Sequence, residues 1–351
     1  MILLDCVQDL DSVVAVAERL QAELSAPHRL AGHEVISTAS IGIVMSSDHY
    51  DRPEDILRDA DTAMYCAKIG GKARHVVFDE QMHEAVVTQL NLERELREAV
   101  GVNEFLLHYQ PIVALESGRL TGFEALIRWP HAQRGLIEPC EFIPLAEELG
   151  LIVPIGEWVI TEAARNLKRW QAMRPMNPPL SMSVNLSRQQ LVHPELVEAV
   201  QHVLDETGIN PATFRLEITE TLIMEDIDAL ERVMLELKQL GVQLVMDDFG
   251  TGHSSLASLH QLPFDVLKID RSFINSAGGK RDYAAIVHAV VTVALNLDME
   301  VVAEGVETED QLSLLQGLDC TYGQGHLFSV PVDAKAAEKM LKRDFGMRKA
   351  A

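Results

Sequence analysis

Little in this chain points to a secreted, membrane-spanning or nucleic-acid-coating protein. Only four of its 351 residues are cysteine, Cys6, Cys66, Cys140 and Cys320, and no two form a CxxC pair. Thiols scattered this way suggest neither a disulfide framework nor a cysteine-based zinc site, and they suit a reducing cytoplasm. Positive charge is also scarce: 30 Lys and Arg face 53 Asp and Glu, for a formal charge of −23. A surface that grips a polyanionic backbone needs clustered cations, so no nucleic acid polymer is expected as a partner. A smaller anionic ligand stays admissible if metal ions lie between it and the acids. No basic leader precedes "MILLDCVQDLDS", so no signal peptide is expected. The most apolar run, "LIVPIGEWVI" from Leu151, is too short to cross a bilayer and contains Glu157, so no membrane segment is expected either.

What is present is ordinary for a globular protein: 47% apolar and 24% charged residues. The length allows one large domain and a smaller one. The first part reads as a small mixed unit. "MILLDCV" predicts a strand, Leu10 to Leu24 a helix, and "VISTASIGIVMS" a β-rich run. "RPEDILRDADTAMYCAKIGG" has Pro near its start and two glycines at its end, as a capped helix should, and "HVVF" closes the unit. From Asp79 to Val100, alternating charges without Gly or Pro predict one long connecting helix.

After Val100 strand-like and helix-like runs alternate: "RLTGFEALIRW", "LSMSVNLS", "FRLEITET", "VQLVMDDFG", "DVLKID", "EVVAEGVE" and "DCTYGQGHLFS" are the strand-like ones. This pattern predicts parallel strands, with a (β/α) barrel as the closed form. The open doubly wound alternative lacks support, because no GxGxxG turn follows any of these strands.

Read at period two, each strand turns one face to the helices and one to the barrel axis. Ser181, Ser183 and Asn185 share a face opposite Leu180, Met182, Val184 and Leu186. Glu217 lies opposite Phe214, Leu216 and Ile218, and Glu124, Leu126 and Arg128 alternate with Phe123, Ala125, Ile127 and Trp129. Lys268 shares a face with Asp270, and Glu304 lies opposite Val301 and Ala303. Thus Glu124, Asn185, Glu217, Asp247, Lys268, Glu304 and Gln324 come late in separate strands, at the rim where barrel enzymes carry their chemistry. Singly, each has an ordinary explanation: an acid caps a helix, an asparagine makes a turn, a lysine pairs with a neighbouring acid. Together, four carboxylates and the amide of Asn185, with one Lys and one Arg, leave excess negative charge, which divalent cations resolve. Oxygen ligands without His or Cys favour Mg2+ or Mn2+ over Zn2+. In "VMDDFG" a second acid, Asp248, follows Asp247 directly, and a strict strand would point the two to opposite faces. Both reach one site only if the strand ends between them, which the glycines Gly250 and Gly252 would permit.

The motifs "YQPIV", "EALIRW", "FIPLAEELGLI", "VNLS", "LEITET", "DDFGTG", "LPFDVLKID", "VVAEGVET" and "QGHLFS" occur here in order between Leu92 and Leu341. In sequence and spacing they resemble the EAL domain family, phosphodiesterases of the bacterial second messenger cyclic di-GMP. Residues 1–82 resemble the C-terminal half of a GGDEF (diguanylate cyclase) domain through "TASIGI" and "DADTAMYCAK", without the Gly-Gly-Asp-Glu-Phe signature. The resemblance implies a TIM-like (β/α)8 barrel over residues 101–345, a helical linker over 83–100, and a truncated α+β segment over 1–82 without cyclase activity.

It further implies two-metal hydrolysis of cyclic di-GMP to linear pGpG, with two Mg2+ or Mn2+ ions per site and inhibition by Ca2+. Carried over residue by residue, Glu124, Asn185, Glu217 and Asp247 hold the first metal, and Asp247, Asp248 and Glu304 the second. Lys268 holds the attacking water and stabilises charge on the phosphate. Two roles are open to Glu304, metal ligand or general base; a cation-bound carboxylate is a poor base, which favours ligation. Gln110, Leu126, Arg128, Asp270, Glu307 and Gln324 make up the implied substrate set. Within it, Arg128 forks onto a phosphate, Gln110 and Gln324 offer amides, Glu307 accepts from a guanine edge, and Leu126 supplies an apolar floor. Glu220 steadies the loop after Asp248, a loop linked in the family to homodimer contacts. His253 and His326 stand where family members usually carry Tyr. The alternative is a catalytically weak or inactive cyclic di-GMP receptor acting through partner or dimer contacts; the full ligand set with Lys268 favours the enzyme. A metal-free glycosidase would use paired carboxylates but leaves Asn185 and Lys268 without a role.

Overall fold

The computed structural model describes residues 1–5, 7, 9–30, 33–35, 37–46, 50–225, 227–250, 262–277, 281–342 and 345. Packing divides the chain into two compact units, Met1–Leu96 and Arg97–Ala351.

In the first unit α1 (Leu10–Ser25) starts at Asp9, whose carboxylate accepts the Ser12 amide at 2.8 Å. Strands β1 (His28–Leu30) and β2 (His33–Val35) pair antiparallel; β3 (Ile41–Ile43) and β4 (His75–Val77) pair in parallel around α2 (Pro53–Ile69). Gly42 lets α2 lie directly on β3, because a Cβ there would collide with the backbone of Ala60 and Met64. The strand expected at "MILLDCV" is not formed. Residues 1–5 and 7 are irregular, and Met1, Ile2 and Leu3 stand exposed. A strand needs a hydrogen-bonded neighbour, and β3 and β4 pair with each other instead. The expected connecting helix is α3 (Gln81–Val102), and the division between the units falls inside it.

The second unit is a closed barrel. Its strands are β5 (Leu106–Ala114), β6 (Leu120–His131), β8 (Ser181–Asn185), β9 (Phe214–Thr219), β10 (Gln243–Phe249), β11 (Val266–Ile269), β12 (Glu300–Ala303) and β13 (Tyr322–Gly323). They follow one another in that order around the barrel, and β5 closes it by pairing with both β6 and β13. Strand β7 (Gly135–Ile137) extends β6 as a hairpin, and β14 (Val332–Asp333) pairs with β5. Helices α4 (Pro139–Glu148), α5 (Ile152–Met173), α6 (Arg188–Leu191) and α7 (Leu196–Thr207) precede β9. Then come α8 (Glu220–Glu225), α9 (Ile227–Gln239), α10 (Arg271–Ala277), α11 (Arg281–Asn296), α12 (Glu309–Gly317) and α13 (Ala334–Met340).

The barrel departs from an all-parallel expectation at β5, which runs antiparallel to both neighbours. A short turn at 115–119 joins it to β6, with Gly118 at φ 69°, and such a turn makes a hairpin where a helical crossover would make a parallel pair. Outside the barrel wall, Tyr109, Phe123 and Trp170 pack edge to face or tilted, with centroids between 4.7 and 6.4 Å apart.

Inside, the period-two rule sorts side chains into layers. Ile112, Val245, Val266 and Val302 form a buried apolar layer, with Tyr322 packed against it. Two residues further along their strands come Asp247, Lys268, Glu304 and Gln324. Because β5 runs the other way, it contributes Gln110, two residues before Ile112, to the same end.

Candidate active site

Lys268, 1% exposed, anchors the upper layer. Its Nζ lies 2.6 Å from Glu304, 2.7 Å from Glu217, 3.2 Å from Asp247 and 3.3 Å from Glu124. Burial works to lower the Lys268 pKa, but these four carboxylates outweigh it and hold it well above its ordinary value. Glu124 is the most fully partnered acid. It accepts from Gln324 Nε2 at 2.6 Å and from Asn185 Nδ2 at 2.7 Å, and Gln324 also donates to Gln110 Oε1 at 2.9 Å. Burial raises its pKa, yet Lys268 and the two amides reverse that and leave it lowered. Glu217 goes the other way: burial, and then the nearby Glu124 charge, push its carboxyl well up. Burial first, then neighbouring acids, raise Asp248, and they raise Glu304 to about 8.

An oxygen-binding cation fits this constellation. Among the described residues five carboxylates, Glu124, Glu217, Asp247, Asp248 and Glu304, surround one ammonium; with all five ionised they would leave four net negative charges, the charge of two divalent ions. Glu217 Oε1 and Gln324 Oε1 are buried without a hydrogen-bond partner, which costs free energy unless something else engages them. One oxygen each from Asp247, Asp248 and Glu304 lies within 4.8 Å of the others. Every donor is an oxygen, the preference of Mg2+ or Mn2+.

The adjacent aspartates share the site by a route different from the expected strand end. Strand β10 continues to Phe249, but its pairing with β11 slips between Met246 and Phe249, and Asp248 sits in the left-handed region at φ 55°. This bulge inserts an extra residue and turns the second carboxylate to the same side as the first. Asp is among the few non-glycine residues that take this conformation readily. The Asp248 amide donates to Asp247 Oδ1 at 2.9 Å. Just beyond, Glu220 Oε2 accepts the Gly250 amide at 2.6 Å, so the start of α8 holds the end of the bulge. Gly250 has φ 100°, and a Cβ there would strike the Phe273 ring. His253 lies outside the described residues.

Of the residues implied to touch substrate, Gln324 joins the cluster through Glu124 and Gln110 joins it through Gln324, while the Gln110 amide donates to the Ser329 carbonyl at 3.2 Å. Leu126 and Arg128 follow Glu124 on the same face of β6. Arg128 is buried; its Nη1 donates to the Ile127 carbonyl at 2.8 Å and its Nε lies 3.0 Å from Glu138 Oε2. Asp270 accepts the Ser272 amide at 2.9 Å at the start of α10, and its charge contributes to raising Asp248. Glu307 is exposed after β12, its backbone amide donating to Gln311 Oε1 at 2.7 Å; His326 is also exposed. Two neighbours went unnoticed in the sequence. His108 lies opposite Leu126 across the β5–β6 ladder, where burial and the Arg128 charge lower its pKa. Extending the period-two reading back from Gln110 would have found it. Glu138 had no such signal, because only the β7 hairpin brings it to Arg128.

The EAL domain family profile matches residues 93–331, and the profile for the diguanylate cyclase, GGDEF domain matches residues 1–74. A bifunctional diguanylate cyclase/cyclic di-GMP phosphodiesterase, MucR of Pseudomonas aeruginosa, is 42% identical over 320 residues, covering 91% of this chain and 46% of that protein. The cyclic di-GMP phosphodiesterase PdeR of Escherichia coli is 37% identical over 329 residues, covering 94% of this chain and 49% of that protein. The chain therefore spans about half the length of these relatives. Among solved structures, the PaMucR phosphodiesterase in complex with c-di-GMP aligns with a TM-score of 0.67 at 44% identity, covering 70% of this chain and 99% of that one.

Proposed function

The chain belongs to the EAL domain family, and from that premise we propose that it hydrolyses cyclic di-GMP to linear pGpG with two divalent cations, Mg2+ or Mn2+. The observation that carries this reading is the buried Lys268 among four carboxylates, with a fifth beside them and a buried, unpartnered Glu217 oxygen. Glu124, Asn185, Glu217 and Asp247 would hold one ion, and Asp247, Asp248 and Glu304 the other. When bound, the ions supply Lewis-acid polarisation of the phosphodiester and activation of water.

The side chains provide the rest. Lys268 keeps its proton among the acids, so it acts as a donor: it orients the attacking water and meets negative charge developing on the phosphate. Arg128 offers a planar fork to a phosphate oxygen pair, and Leu126 an apolar surface for a base. Gln110 and Gln324, hydrogen-bonded to each other, place amides beside Glu124. Glu304 acts as a ligand in this reading, since cation binding and basicity compete for the same oxygen. Asp270 and Glu307 complete the substrate set, and Glu220 steadies the loop after Asp248. The same proposal sets the reaction in the cytoplasm and in a homodimer formed through residues 101–345. It treats 83–100 as a linker and 1–82 as a GGDEF-like segment without cyclase activity.

The test is turnover of cyclic di-GMP with Mg2+ or Mn2+, read as pGpG by chromatography. Activity abolished by EDTA and blocked by Ca2+ is the expected result. Binding of cyclic di-GMP without pGpG in either metal would overturn the enzyme reading in favour of a receptor.

A further inference from the structure

Glu138 stands at the start of α4, directly after the β7 hairpin, in the position where a side chain ordinarily caps the first helical amides. It makes no such cap. Its carboxylate instead reaches back to Arg128, 3.0 Å from Nε. The two partners are unequally placed: the Arg128 side chain is 7% exposed and that of Glu138 52%. The contact is an ion pair without an aligned hydrogen bond, since Arg128 Nε has no hydrogen-bond partner. Nη1 is already committed to the Ile127 carbonyl. Among the described residues, the other charged or ionisable groups close enough to influence the guanidinium are Glu124 and Cys140, and His108 feels its charge in turn.

We propose that Glu138 is a displaceable counter-charge that occupies Arg128 until a substrate phosphate takes its place, so that it sets substrate affinity without entering the chemistry. This inference rests on the phosphodiesterase reading above. A buried guanidinium with no anion would be costly, and a phosphate offers two oxygens to its fork where Glu138 makes one off-axis contact. The carboxylate sits at the solvent edge and can swing away; the arginine cannot. Binding the phosphate therefore costs the loss of the Glu138 contact, and Glu138 acts on affinity by competing for Arg128 alone.

The experiment compares kcat and KM for cyclic di-GMP in the wild type, Glu138→Gln, Arg128→Ala and the double variant. Glu138→Gln keeps the shape and removes the charge. Its KM is expected to fall about fivefold, the factor equivalent to the ~1 kcal/mol upper range for an ion pair with one exposed partner, with kcat unchanged. The gap from wild type should narrow as salt rises. In the Arg128→Ala background the same substitution should leave KM unchanged. An unchanged or raised KM in Glu138→Gln overturns the proposal, the latter showing that Glu138 holds Arg128 in its productive pose. An equal gain without Arg128 overturns it too, as an effect of net charge. Failure of the wild type itself to hydrolyse cyclic di-GMP would sink the phosphodiesterase reading and this inference with it. That outcome is read in the wild type, so the two failures are distinct.

Discussion

At the lower end of the barrel interior, Arg215 donates to Gln243 Oε1 at 2.8 Å and to Glu300 Oε2 at 2.6 Å, while the Tyr322 hydroxyl reaches Glu300 Oε1 at 3.3 Å. At the upper end, two residues further along the same strand, Glu217 shares the Lys268 ammonium with three other acids and leaves one oxygen unpartnered. One cation meets one anion below. Above, one cation meets five carboxylates, counting Asp248. On β10 and β12 the apolar cluster's Val245 and Val302 come between the lower residues Gln243 and Glu300 and the upper residues Asp247 and Glu304. The lower layer is balanced by the protein's own charges, whereas in the upper layer the crowding of acids raises Glu217, Asp248 and Glu304 above their ordinary values. Polar groups buried for structure tend to be satisfied; an unbalanced cluster at a barrel's C-terminal rim marks chemistry.

The hardest break of this comparison is Lys268→Met. It should abolish pGpG production, a fall of more than about a hundredfold given what one positioned donor contributes to transition-state stabilisation. It also removes the ammonium that four buried or half-buried acids share, so the metal-free variant should lose about 3–5 kcal/mol, read by urea unfolding in EDTA. Mn2+ should recover part of that loss.

The next effect separates the two ends by metal. Saturating Mn2+ should stabilise the wild type by about 2.7 kcal/mol at a hundredfold excess over its dissociation constant, measured as a rise in Tm over the EDTA-treated protein. The metal-free protein should also show a particular pH slope. Glu304 titrates at about 8 in the folded chain against an ordinary 4.5, so between those values the folded state holds a proton that the unfolded state has released. Stability from this group is full below pH ~4.5 and declines as pH rises toward ~8. Mn2+ should weaken that slope, because the cation displaces the same proton. A flat profile in EDTA would show that Glu304 is not held in its protonated form.

The smallest effect belongs to the lower layer. Arg215→Met should cost about 1–3 kcal/mol through the groups it leaves unpaired, equally with and without Mn2+, and leave kcat unaltered. A metal-dependent loss would mean that the two layers communicate through the apolar plug.

Much of the upper layer was legible in the sequence because a strand's alternation survives any detail of packing. Once Val245, Val266 and Val302 face inward, Asp247, Lys268 and Glu304 must do so as well, unless a bulge intervenes. A bulge does intervene at Asp248, and nothing in "VMDDFG" reports whether the strand stops or slips there. The missing strand at "MILLDCV" has a similar origin: its apolar residues suit a strand, but a strand exists only where a neighbour accepts its hydrogen bonds. The antiparallel course of β5 was hidden because the residue types of Leu106–Ala114 do not encode direction; the turn at 115–119 does.

By itself the sequence determined the chemical inventory of this protein: a barrel-forming alternation, an excess of oxygen donors at the strand ends, and one lysine among them. These follow from residue type and period, which are local properties. Only the tertiary structure decided that Lys268 meets four carboxylates at once, that Glu217 is left with an unpartnered oxygen, and that Asp248 turns inward. It also decided that Glu138 spends its charge on Arg128 and not on its own helix. Each of these depends on distances between groups far apart in the chain, and electrostatic energies vary with distance and burial rather than with sequence position.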